Sequence, residues 1–249
     1  MIQKKIPPQY TIKILKKRLL LFLMLLFLAD FVFIALHSIE ALTSLIENDL
    51  YSLYKDGGYS EIYQYIKWFW IIILISYLSI TNKSIHYGSW VLIFTYILFD
   101  DAFEIHENLG RNITEYLTFL QPLGLRIQDI GELVISSFAG IILLFFIAFS
   151  YMHGNERFRK ISRDMFVLLS VSAFMSIFFD IAHSSIHIGR ITTGIFGVAE
   201  DGGEMFSASL MLYYIFFQSL TNQNDDTFSF IDNFLPNTLK KSLKIPDNQ

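Results

Sequence analysis

Asp180, His183 and His187 stand at spacings of three and four, which puts all three side chains within a narrow arc of a helix. Two imidazoles one turn apart can grip one metal ion. The acid one turn earlier can complete the ligand set or orient a ring. A second acidic run, Asp100-Asp101-Ala-Phe-Glu104-Ile-His106-Glu107, places Asp100, Glu104 and Glu107 on one face, with Asp101 at its edge and His106 pointing elsewhere. Two further segments open with acids, Asp129 with Glu132 and Glu200-Asp201 with Glu204. Asp30 shares a face with His37, and Glu40 follows. His183, His187 and Asp180 are therefore the expected metal ligands, with Glu104, Glu132 and Glu204 completing one or two positions. Asp101 and Asp129 are candidate bases or additional ligands. The chain has no cysteine, so any metal would be held by oxygen and imidazole nitrogen; that donor set suits zinc, iron or manganese.

The elements that must position these groups are apolar. Of the 249 residues, 53% are hydrophobic and only 17% charged, and the apolar residues come in blocks near the length of about 20 that crosses a bilayer. The sequence predicts an all-α, polytopic membrane bundle with six transmembrane helices, at about 19–38, 62–81, 88–107, 129–151, 164–187 and 200–219. A basic N-terminus (1–18) precedes the six-helix domain (19–220), and a polar tail (221–249) follows it. The basic residues set the orientation. Lys4, Lys5 and the cluster from Lys13 to Arg18, then Lys83, then Arg157 to Arg163, then Lys240, Lys241 and Lys244 fall at alternate ends of the spans. The positive-inside rule makes those ends, and both termini, cytoplasmic. The loops at 39–61, 108–128 and 188–199 are then extracytoplasmic, and the acids gather at that side.

Burial costs give the gathering its meaning. The apolar part of the third span, Ser89–Phe99, supplies only 11 residues, so the helix is expected to run on through the acids. A carboxylate within the bilayer costs about 2.5 kcal/mol or more. The nearby basic residues Lys67, Arg111, Arg126 and Arg190 are too few to neutralise so many. Bound cations, protons or a hydrated cavity must compensate. A plainer account covers part of the pattern, because acids in a helix's first turn complement its dipole, as for Asp129, Glu200 and Asp201. The acids at the end of the third span have no such benefit.

Two short stretches resemble known families. His183-Ser-Ser-Ile-His187 resembles the zinc-binding His pair of the membrane hydrolase superfamily that contains the alkaline ceramidases, and Glu132 with Ser137 is similar to part of its other motif. That resemblance implies a membrane-embedded zinc and amide hydrolysis in a lipid, although that superfamily has seven spans and a His closing the Glu/Ser motif. Glu104-Ile-His106-Glu107-Asn-Leu-Gly110 is similar to the His-Glu segment of ZIP-type metal transporters, without their partner motif or eight spans.

The expected function is an integral membrane metalloenzyme, a metal-dependent hydrolase of a lipid-like substrate or a dinuclear iron oxidoreductase. Its partners are then the bilayer and that substrate. Nothing points to nucleic acid, since the basic residues sit in short clusters beside the spans. A cation or proton transporter using the acids is the alternative, and a non-enzymatic assembly subunit the second one.

Overall fold

The structure is a computed structural model, which describes residues 8–114, 116, 127–185 and 190–221. Seven α-helices and no strand occur among these residues: α1 (Pro8–Leu42), α2 (Tyr59–Thr81), α3 (Gly88–Phe103), α4 (Ile105–Ile113), α5 (Ile127–His153), α6 (Glu156–Ser185) and α7 (Arg190–Leu220). The tail beyond residue 221, and with it that expected boundary, lies outside the described residues.

Helix α2 buries one face in the bundle. Its buried positions, Ser60, Gln64, Lys67, Trp68, Ile71, Ile75 and Leu78, recur at the three- and four-residue steps that keep one face inward. That face packs on α3 and α7. The shared core adds Trp90, Ile93 and Phe94 from α3, Ala208, Met211, Leu212 and Ile215 from α7, and Phe158, Ile161 and Met165 from α6. Helix α1 lies along α7, while α5 packs mainly on α4. A Cβ on Gly110 of α4 would come within 2.7 Å of the Glu132 backbone nitrogen of α5. Only glycine lets these two helices approach so closely.

Six spans are expected, and three helices among the described residues are both long and apolar enough to cross a membrane: Lys17–Leu42 within α1, α2 and α5. Helix α3 falls short because it ends at 16 residues. Helices α6 and α7 have the length, at 30 and 31 residues. Helix α6 is charged at its start and apolar from Met165 to Phe179, with several of its later side chains outside the described residues, and Glu200, Asp201 and Glu204 interrupt the apolar run of α7. Two boundaries also move. The stretch 190–199, expected as loop, is the first part of α7, and the helix expected over 88–107 breaks at Glu104.

That break has a local cause. Glu104 takes the left-handed conformation (φ 49°, ψ 44°), unusual for a residue with a Cβ. Beyond it the Asp100 carboxylate accepts a hydrogen bond from the backbone N–H of His106 (3.0 Å), capping the new helix. The Asn108 amide donates to the freed Phe103 carbonyl (3.3 Å). Both ends are satisfied, so the chain turns where a continuous helix was expected.

Candidate functional site

The broken helix is one wall of a cleft of about 180 Å³ at the acid-rich end of the bundle. Tyr54, Lys55 and Asp56 come from the loop before α2, and Ser60, Glu61 and Gln64 from the first turns of α2. Asp101 and Glu104 close α3, His106 and Glu107 open α4, and Asp201, Glu204 and Met205 face in from α7. The walls thus hold seven carboxylates, one histidine and one lysine, a strongly acidic lining. Arg111 at the rim reaches Glu104 (3.9 Å) and Glu107 (4.0 Å), and its half-exposed guanidinium contributes little neutralisation.

The loop wall is built on an anchor. His37, 4% exposed, accepts a hydrogen bond at Nδ1 from the Leu53 backbone (3.2 Å). Its ring packs edge-on against Tyr54, with centroids 4.6 Å apart. Gly197 of α7 leaves room for the Tyr54 ring, where a Cβ would stand 2.6 Å from it. Burial pushes the Tyr54 hydroxyl's pKa up, with Asp201 and Glu200 adding to the effect. Glu61 is held by the Gly57 backbone N–H and the Tyr65 hydroxyl, so its oxygens are partly committed.

His106 is the most organised group in the cleft. Its Nδ1 lies 3.0 Å from Asp100 Oδ2, while the other Asp100 oxygen holds its backbone N–H. One carboxylate, 9% exposed, therefore fixes both main chain and ring. With Nδ1 engaged, Nε2 is the nitrogen left for chemistry, the arrangement in which a carboxylate orients a metal-binding or proton-transferring imidazole. The hydrogen bond to Asp100 raises the His106 pKa against the opposing effect of burial.

The sequence-expected residues divide into three groups. Asp101, Glu104 and Glu204 do line the cleft, and Gln64 donates to Glu204 (3.3 Å). Glu132 and Asp129 are half-buried on α5 and are not among the cleft walls; the Gln128 amide donates to Glu132 (2.8 Å). Asp180 and His183 belong to helix α6, but their side chains lie outside the description, as does all of His187. Asp30, expected to share a polar stripe with His37, turns instead to Lys67 in the bundle interior. Among the described residues, no three His, Asp or Glu side chains stand close enough to hold a metal ion between them.

Sequence reasoning missed His106, because an unbroken helix directs it away from the Asp100 face. It also missed Asp56 and Glu61, whose signal was an Asp-Gly-Gly turn followed by an acid in the first turn of a span. The chain matches, over residues 18–219, the family model described as a domain of unknown function, DUF8692. It belongs to the DUF8692 family. No curated protein and no solved structure matches it. The matched segment runs from the start of the apolar part of α1 almost to the end of α7, so the DUF8692 unit contains every cleft wall.

Proposed function

We propose that this DUF8692 protein is a six-span membrane protein, with both termini cytoplasmic, whose extracytoplasmic cleft binds one or two divalent cations (zinc, iron or manganese) and uses them to hydrolyse a lipid-like substrate. The Asp100-held His106, presented among the cleft carboxylates, carries this reading. An oriented imidazole beside Asp101, Glu104 and Glu204 supplies the nitrogen and oxygen donors that such ions take. A metal there would lower the pKa of a bound water. A carboxylate not bound to metal would accept the water's proton as its oxygen attacks the ester, amide or phosphoester; the departing group then leaves protonated.

The membrane part of the reading is supported by where apolar side chains are exposed. Leu21, Met24, Leu28 and Phe31 on α1 are each more than half exposed, as are Phe138, Ile141, Phe145 and Phe149 on α5. Only 6% of the most apolar stretch of α5 is buried. Apolar surface on this scale needs lipid or protein cover. The alternation of basic clusters along the chain supports the orientation.

Cation or proton transport is the second reading, and one observation favours it: Gln64 links the cleft wall at Glu204 towards a buried Lys67–Asp30 pair. Against it, Ile71, Ile75, Phe94, Met211 and Leu212 form an apolar layer on the far side of that pair. A docking role in an assembly remains the third reading, and it requires neither metal nor turnover. The discriminating experiment is hydrolysis of short-chain phospholipid and ceramide analogues in detergent micelles, with and without chelator. Chelator-sensitive turnover that His106→Ala abolishes supports the enzyme reading. Unaltered turnover in that variant, or none under any metal, rejects it.

A further inference from the structure

Lys67 and Asp30 are both fully buried, and the cleft chemistry uses neither. The Lys67 ammonium has three hydrogen-bond acceptors: Asp30 Oδ1 at 2.9 Å, the Met205 carbonyl at 2.8 Å and Ser209 Oγ at 3.3 Å. That is one for each of its three protons. The Tyr63 ring lies beside it, its centroid 4.6 Å from Nζ, a cation–π distance. Ser209 directs its own proton to the other Asp30 oxygen (2.6 Å), leaving a lone pair for the ammonium. The surroundings therefore offer one carboxylate, two neutral oxygens and an aromatic face, all of which attract a cation.

We propose that Asp30, Ser209 and the Met205 carbonyl form a monovalent, ammonium-type cation site that the chain fills with its own Lys67, closing the floor of the acidic cleft. The occupant indicates the class of ion. The three oxygens are set around an ammonium at 2.8–3.3 Å, N–H···O distances longer than those of about 2.0–2.6 Å at which oxygens hold magnesium and calcium. Placement gives the floor its role. Gln64, one turn before Lys67 on α2, and Met205 both line the cleft, and the Met205 carbonyl is itself a ligand of the ammonium. A cation entering the cleft would find this site already filled by the Lys67 ammonium and would go no deeper than the carboxylates. The inference does not rest on the cleft being a metal site.

The test uses the full chain in detergent, with Lys67→Ala, Asp30→Asn/Lys67→Ala and wild type melted in choline, sodium, ammonium or methylammonium chloride at matched ionic strength. Lys67→Ala is expected to melt several degrees below wild type in choline, and ammonium or methylammonium should return at least half of that loss. Sodium should return little. Wild type and the double variant, lacking the vacancy or the carboxylate, should show no selective response. Equal responses to ammonium in Lys67→Ala and wild type, or equal rescue of the double variant, overturn the proposal. So does a Lys67→Ala protein that cannot be recovered folded even when prepared throughout in ammonium.

Discussion

The two ends of this bundle treat buried polarity differently. Away from the cleft, most charged groups that enter the core are matched within it, although Trp68 Nε1 and the Tyr87 hydroxyl have no hydrogen-bond partner among the described residues. The Trp90 indole donates to Ser162 (2.9 Å) and the Tyr214 hydroxyl to Asp164 (3.0 Å). Arg157 donates to the Gln218 and Thr221 carbonyls at the end of α7 (3.1 and 2.8 Å). At the cleft, seven carboxylates share one lysine; positive φ does not separate the ends, since Glu104 (φ 49°) at the cleft has a counterpart in Lys83 (φ 48°) at the other end. The first pattern is what stability selects, since an unmatched buried polar group costs about 1–3 kcal/mol. The second costs stability, and a bound cation of the kind proposed above would offset that cost. Lys67 and Asp30 sit between the two regions and are paired like the far end.

The sharpest way to break the comparison is at that boundary. Asp30→Ala leaves the Lys67 charge without its counter-ion, so the expected loss is about 3–5 kcal/mol in reversible unfolding. A loss near zero would mean that water reaches the pair and that the matched region does not extend so far. Ser162→Ala should cost about 1–3 kcal/mol by orphaning the Trp90 indole. In the cleft the sign reverses. Glu104→Gly relieves the positive φ and should raise stability by up to about 1 kcal/mol, while weakening divalent-cation binding measured by calorimetry.

How much of this could be read in advance differs between the two regions for a physical reason. Apolar blocks and helical spacing forecast the all-α bundle, and the inward face of α2 follows the expected steps from Gln64 to Leu78. Asp101, Glu104 and Glu204 stood out in the sequence because acids in apolar surroundings are costly wherever they lie, and all three line the cleft. His106 was not. Its direction depends on a break at Glu104, and that break arises from a side chain, Asp100, capping a helix six residues ahead. Helical periodicity assumes continuity, so it cannot foresee a turn that one carboxylate stabilises. The Lys67–Asp30 pair was hidden for a related reason, since the partners lie 37 residues apart on different helices.

The smallest effect tests the His106 geometry. Its hydrogen bond to Asp100 raises the folded-state pKa above the ordinary 6.5, so the protonated ring binds its partner more strongly in the folded protein. That contribution is fully present below the ordinary histidine range and is lost as pH rises through the raised folded value. Wild type should therefore lose slightly more thermal stability than His106→Gln across that window. Parallel curves would show that Asp100 does not hold the ring.

The central claim is that the cleft's surplus carboxylates exist for a cation. Elemental analysis of the full chain, purified without chelator beside His106→Ala/Glu204→Gln, tests it most directly. The account predicts near-stoichiometric zinc, iron or manganese in wild type and a large loss in the variant. No bound metal in wild type, even after reconstitution, or equal metal in both proteins, would contradict it.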